Sequence, residues 1–262
     1  MKLDPRASAA GVRLISHELL TSTNSEALAL AGQGERGPLW ITADRQSAGR
    51  GRRGRTWTSE PGNLYASLLL TDPAPLEHWP ELSFVATLAS HDAITEVAPQ
   101  LKSQLAIKWP NDLLLNGAKF AGILIEGEGK EEGSVAVGIG INCTSHPKDT
   151  DFPATDLAAA GAKITSATLF AALSVKMLGR LAQWNRGEHF STIRADWLAR
   201  ASGLGEPMRV RLADREVAGC FEAIDDAGRL VLALPEGGRE TIAAGDVVEL
   251  SGSGRARPRG KK

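Results

Sequence analysis

The chain has 262 residues, 42% of them apolar and 23% charged, with a formal net charge of −1. That composition fits a globular protein with room for one large and one small domain, and it excludes a whole-surface nucleic-acid binder, which would be basic overall. No run approaches the roughly 18 apolar residues a membrane span needs, and two distant cysteines, Cys143 and Cys220, match no metal-ligand or disulfide pattern.

Residues 1–12 read as a short disordered lead. It lacks an apolar signal-peptide core, so the cytoplasm is expected. Val12–Leu20 alternates and predicts a first strand. Thr23 and Glu26 have capping-box spacing, so a short helix is expected over 24–31, ended by Gly32. Leu39–Ala43 and Leu64–Leu70 read as strands. Leu82, Val85, Ala86, Ala89, Ala93 and Val97 share one face of a helix over 81–97, stopped by Pro99. Strands are expected at Ala106–Trp109, Asp112–Leu115, Lys119–Glu126 and Val135–Gly138. Asn116-Gly117 supplies a type I′ hairpin between the second and third of these. Leu169, Leu173, Met177 and Leu181 mark a helix over 168–186, and another follows over 190–200. From Met208 to Leu250 short strands alternate with turns at Asp225-Asp226, Gly237-Gly238 and Gly245-Asp246, the pattern of a small β-barrel. Residues 252–262 carry five basic residues and no acid, and read as a disordered basic tail. Hairpin-linked strands with helices in separate blocks predict an α+β fold with a mixed or antiparallel sheet.

The chemistry concentrates first in residues 45–57. Arg45, Arg50, Arg52, Arg53 and Arg55 crowd there with Gly49, Gly51 and Gly54 and no carboxylate. Guanidinium forks and exposed backbone N–H groups suit phosphate or carboxylate oxygens. The same pattern fits a solvated basic loop or a nucleic-acid patch. Such a loop repels itself unless anions reach it. Around it stand Ser22-Thr23-Asn24 upstream, then Lys108-Trp109-Pro110-Asn111-Asp112, Lys119-Phe120-Ala121-Gly122-Ile123-Leu124 and Gly138-Ile139-Gly140-Ile141-Asn142 downstream.

In that order and at those spacings the chain resembles the biotin protein ligases over about residues 13–251. The pairing of Gly-Arg-Gly-Arg-Arg-Gly-Arg with Lys-Trp-Pro-Asn-Asp carries the resemblance. It implies a class II synthetase-like biotin/lipoate ligase catalytic domain over 13–203 and an SH3-like barrel over 204–251. It implies biotin and ATP as substrates, with Mg²⁺, in two steps. Biotin is activated to biotinyl-5′-AMP and then passed to a lysine of the biotin carboxyl carrier protein of acetyl-CoA carboxylase. By family position Ser22, Thr23, Asn24, Gln46, Gly49, Arg50, Gly51, Arg52, Lys119 and Gly122 would bind biotin. Arg52, Arg55, Trp57, Lys108, Asn111 and Asn142 would bind ATP, and Lys119, Arg50 and Arg52 would serve catalysis. Asp112 is either an Mg²⁺-linked carboxylate or the salt-bridge partner of Lys119 or an arginine. Some relatives carry an N-terminal DNA-binding domain. Twelve residues cannot hold one, so no repressor role and no DNA are expected. Family members pair through the central sheet, which makes a homodimer an open expectation. One departure is a short loop over 59–62. The runner-up is a lipoate–protein ligase-like acyltransferase. A nucleic-acid module ranks lower, because only Trp57 offers stacking near the arginines.

Overall fold

The computed structural model describes residues 1–129 and 133–250, with side chains through Val248. Seven strands form one sheet: β1 (Arg13–Leu20), β2 (Leu39–Gln46), β3 (Leu64–Thr71), β4 (Leu105–Lys108), β5 (Asp112–Leu115), β6 (Ala118–Glu128) and β7 (Ser134–Ile141). Their spatial order is β1-β2-β3-β7-β6-β5-β4. β1 and β2 run parallel and every other neighbouring pair is antiparallel. The expected mixed sheet is therefore observed. Asn116 and Gly117 join β5 to β6 with φ of 49° and 79°, the positive values a type I′ turn requires.

Strand alternation divides the sheet into two unlike faces. Leu64, Ala66, Leu68 and Leu70 of β3 and Val135, Val137, Ile139 and Ile141 of β7 point into the larger core. Helices α3 (Leu82–Val97), α4 (Ser166–Trp184) and α5 (Phe190–Leu198) pack on that side. α3 is buried almost all round, as a helix between a sheet and other helices should be. On the opposite face Leu39, Ile41, Leu69 and Ala136 pack with Ala27 of α2 (Thr23–Gly32). α2 covers only part of this face, and the uncovered part is where the cleft lies.

Three expectations change. The lead is not wholly irregular: α1 (Pro5–Ala9) is capped by Asp4, whose carboxylate accepts from Arg6 N. Asp-Pro is a good helix start, and Ala7 is fully buried while Asp4 N donates to Ser174 Oγ of α4. α2 begins at Thr23 rather than Asn24, because Ser22 is the N-cap and accepts from Ser25 N. The C-terminal strands β8 (Pro207–Arg211), β9 (Glu216–Ile224), β10 (Leu230–Ala233), β11 (Arg239–Ile242) and β12 (Asp246–Leu250) form an antiparallel sheet in the order β11-β10-β9-β8-β12. Among the described residues β11 and β12 do not pair, so the small β-barrel expected here takes the form of an open five-stranded sheet. Its inner residues, Val210, Phe221 and Leu230 among them, continue the larger core. The basic tail expected over 252–262 lies outside the described residues. Among those described, no helix is long and apolar enough to cross a membrane.

Candidate active site

The uncovered face of the sheet holds a cleft of about 860 Å³. Register explains its residues. Tyr65 lies opposite Gly140, Gly140 opposite Gly122, Gly122 opposite Asp112 and Asp112 opposite Lys108, across β3, β7, β6, β5 and β4. Opposed residues share a face, so this row crosses five strands and all of it lines the cleft. A second row sets Ser67 beside Gly138 and Gly138 beside Leu124. The glycines make the room. A Cβ at Gly138 would stand 2.4 Å from Asn24 Oδ1, and one at Gly140 would stand 2.7 Å from the Trp57 ring. β7 thus spends its large side chains on the core and its small ones on the site.

One end of the cleft is neutral and hydrogen-bonded. Ser22, Thr23 and Asn24 open α2 and are buried. Gln46 Oε1 accepts from Thr23 N at 2.8 Å, and Gln46 Nε2 donates to Ser59 Oγ at 3.0 Å. Ser67 Oγ lies 2.6 Å from Asn24 Oδ1 and 2.7 Å from Thr23 Oγ1, and its single proton serves one of them. Asn24 Nδ2 donates to Leu124 O at 3.2 Å and to Glu126 Oε2 at 2.8 Å.

The other end is charged. Asp112 Oδ2 stands 3.1 Å from Lys108 Nζ, and Oδ1 stands 2.6 Å from Lys119 Nζ. Burial would push the Asp112 carboxyl up, but Lys119 and then Lys108 outweigh it and hold the group at about 2. Burial draws Lys108 below the usual lysine value, Asp112 opposes the shift, and Lys119 adds to it. Lys108 Nζ also sits 3.9 Å over the Phe152 ring. Lys119 keeps more exposure, 27% against 7% for Lys108, so it is the ammonium open to a ligand. Asn111 Nδ2 donates to Ile123 O, and its Oδ1 accepts from Arg52. Asn142 Nδ2 donates to Thr155 O.

The arginine loop closes the third side. Arg50 pairs with Glu126 at 2.9 Å, and Arg53 and Arg55 pair with Asp246 of β12 at 3.2 and 2.8 Å. Burial pushes the Arg52 guanidinium down, and Asp246 and Asp112 work against that shift. Carboxylates far away in sequence thus relieve the crowding of charge that residues 45–57 alone imply. Trp57 projects from this loop against Gly140 and Gly122, and its Nε1 is buried without a hydrogen-bond partner among the described residues.

Every residue expected to contact biotin or ATP, and Asp112, lines this cleft except Gly49; of the loop's other residues, Arg45, Arg53 and Gly54 do not. Gly49 instead holds the loop's base. A Cβ there would stand 2.5 Å from Trp57 O and 2.6 Å from Ser59 Oγ. Of the two readings of Asp112, the structure has the lysine salt bridges. Among the described residues no group of three His, Cys, Asp or Glu side chains converges on a metal position. Asp112's two ammonium neighbours would also repel a divalent cation. Sequence reading missed Tyr65 and Ser67, and these were findable, since both share a face with Leu69. It also missed Phe152, and Arg209, Arg211, Glu216, Asp246 and Val247 of the C-terminal sheet, which close the cleft from outside the main sheet. No local signal marks these, because tertiary packing brings them in.

Comparison with known proteins agrees with this geometry. The profile of the Biotin/lipoate A/B protein ligase family matches residues 18–143, and that of the biotin protein ligase C-terminal domain matches 203–248. The chain is 43% identical over 236 residues to the biotin–[acetyl-CoA-carboxylase] ligase of Paracoccus denitrificans, covering 86% of this chain and 96% of that one. It is similar to the solved biotin protein ligase of Aquifex aeolicus in complex with biotin and ATP, with a TM-score of 0.75 and 26% identity over 90% of this chain and 97% of that one. It is also similar to the Leishmania major biotin protein ligase in complex with biotinyl-5-AMP, with a TM-score of 0.63 and 25% identity over 88% of this chain and 99% of that one. By fold, by the arrangement of its cleft and by sequence over most of its length, the chain belongs to the biotin protein ligase family.

Proposed function

We propose that the cleft activates biotin with ATP and passes the biotinyl group to a lysine of a biotin carboxyl carrier protein, that of acetyl-CoA carboxylase in the first place. One observation carries this reading: a neutral end and a cationic end share one cleft of about 860 Å³. At the neutral end Asn24 has spent both N–H donors and keeps acceptor capacity on Oδ1, while Gln46 keeps one N–H free. Ser22 and Thr23 add hydroxyls. A ureido head, with two N–H donors and one carbonyl, matches that set. A dithiolane ring would leave it unpaired, at a cost of about 1–3 kcal/mol for each buried group. This favours biotin over lipoate.

In the first step a carboxylate oxygen of biotin attacks the α-phosphorus of ATP and the bond to pyrophosphate breaks. Two anions approach, and negative charge grows on the α-phosphate oxygens. Lys119 and Arg52 stand where fixed cations offset that charge, with Lys108 behind them. Asp112 keeps the two ammoniums apart and oriented. No nucleophilic side chain is needed, since the substrate attacks. Mg²⁺ would arrive with the triphosphate and offset part of its charge. In the second step the acceptor amine attacks the acyl carbon and AMP leaves. Biotin contacts are assigned to Ser22, Thr23, Asn24, Gln46, Arg50, Gly51, Arg52, Lys119 and Gly122, and ATP contacts to Arg52, Arg55, Trp57, Lys108, Asn111 and Asn142. Gly49 is kept as a support for the loop. We further assign a catalytic domain to 13–203, a C-terminal domain to 204–251, the cytoplasm as compartment, and a homodimer as the assembly to test by sedimentation. The experiment for the reaction is mass spectrometry of a carrier domain after incubation with this protein, biotin, ATP and Mg²⁺. One added biotinyl group per carrier is expected, and an unmodified carrier overturns the reading.

A further inference from the structure

Glu126 belongs to no motif, and it does not itself line the cleft. It stands behind the wall, on the same face of β6 as Gly122 and Leu124, and touches two residues that do line it. Its Oε2 accepts from Asn24 Nδ2 at 2.8 Å. Both of its oxygens accept from Arg50 Nη2, at 3.1 and 2.9 Å. Arg50 Nη1 in turn donates to Ser25 Oγ at 2.7 Å, in the first turn of α2. One carboxylate therefore joins the neutral end of the cleft to the arginine loop.

The chemistry of the carboxylate makes the join directional. Ionised, it can only accept. Together with the Leu124 carbonyl, which also only accepts, it turns the Asn24 NH₂ outward to Glu126 and Leu124 O. Oδ1 is then left facing Ser67 and the space kept open by Gly138. A side chain that could also donate would leave only the Leu124 carbonyl to hold the amide this way, and a flipped amide would offer a donor where a ureido N–H needs an acceptor. The same charge holds Arg50, and with it the start of the loop. We propose that Glu126 is a positioning residue that orients Asn24 toward the ligand's N–H and anchors the arginine loop through Arg50, so that head-group recognition and loop placement are set by one group. The proposal rests on the biotin reading for its ligand, but its loop half does not.

The test compares the full chain with Glu126→Gln, which keeps the shape and removes the charge, alone and in an Asn24→Ala background. Three quantities are read: biotin Kd by calorimetry without ATP, kcat and KM for pyrophosphate release, and the rate of trypsin cutting after Arg50 without ligand. Glu126→Gln should raise the biotin Kd and KM roughly tenfold, the lower end for a lost charge-assisted hydrogen bond. At saturating biotin kcat should change by less than about threefold, since substrate binding and not the transition state is affected. Cutting after Arg50 should quicken severalfold. In the Asn24→Ala background the same substitution should shift Kd clearly less than it does alone, because the part of its effect that passes through Asn24 is gone and only the part through Arg50 remains. A wild-type Kd and wild-type cutting in Glu126→Gln overturn the proposal, as does an undiminished Kd effect in the Asn24→Ala background. If the unaltered protein bound no biotin, the ligase reading would fail, and the trypsin rates would still decide whether Glu126 anchors the loop.

Discussion

The two ends of the cleft are built by different forces. The end at Ser22, Thr23, Asn24 and Gln46 is held mostly by neutral hydrogen bonds, with Glu126 the carboxylate behind Asn24, and most of its residues come from one strand–helix junction and the strand beside it. The end at Lys108, Asp112 and Lys119, with the arginine loop, is held by ion pairs reaching from β4, β5 and β6 to β12. Neutral hydrogen bonds fix shape and direction and depend little on salt or pH. Ion pairs supply the charge a phosphoryl transfer needs, and they respond to both. On the proposed reading head-group recognition and the reaction draw mainly on different ends, and perturbing one end should leave a signature different from the other's.

The largest effect should come from the charged end. Lys119→Ala should slow pyrophosphate release about a hundredfold, near 3 kcal/mol, because its charge matters most where negative charge develops. The biotin Kd should change far less. A variant with normal pyrophosphate release would make Lys119 an ordinary strand lysine and erase the contrast. At the neutral end Gly138→Ala should do the reverse. Asn24 is tied by several hydrogen bonds and cannot retreat from a new Cβ 2.4 Å away. Overpacking of this kind costs about 1–3 kcal/mol. It should appear in calorimetry as a biotin Kd raised ten- to a hundredfold, with kcat at saturation little altered.

Acid should act on the charged end through Asp112. Asp112 is held at about 2 in the fold, below the ordinary 3.8. A lowered value means the folded protein binds this proton less readily than the unfolded chain does. Its stabilisation is complete above about pH 4 and is lost as pH falls toward 2, amounting to about 2 kcal/mol. Urea unfolding at pH 5 and pH 2.5 should show that loss in the unaltered protein and a smaller one in Asp112→Asn. Equal slopes would mean that other carboxylates dominate acid unfolding. The smallest effect is expected at the rim. Arg53 and Arg55 are partly exposed where they meet Asp246, at 36% and 59%, so Asp246→Asn should cost under about 1 kcal/mol of stability. It should still speed trypsin cutting after Arg53 and Arg55, and high salt should abolish the difference from the unaltered protein. Unchanged cutting at low salt would detach the C-terminal sheet from the loop.

Much of this molecule is written locally. Apolar periodicity marks α3 and α4. Short runs of apolar and small residues mark β3 and β7. Asn116-Gly117 marks its hairpin, because few other dipeptides accept two positive φ values. The cleft residues in the arginine loop, in Lys108–Asp112 and at Lys119 were legible as well, since charge and glycine at those spacings serve few other ends. Three things were not legible. The bond from Asp4 N to Ser174 and the burial of α1 depend on α4, more than 150 residues on. The order of the C-terminal strands, with β12 beside β8, depends on partners that no local pattern can name. The countercharges of the loop, Glu126 and Asp246, lie 76 and about 190 residues from the arginines they hold. By itself the sequence determined which segments become strands and helices and which side chains carry charge, because backbone preference and hydrophobic period act over a few residues. Only the tertiary structure decided which carboxylate meets which cation and which way the Asn24 amide turns, because an ion pair or a hydrogen bond depends on distance in space, and packing alone sets that distance.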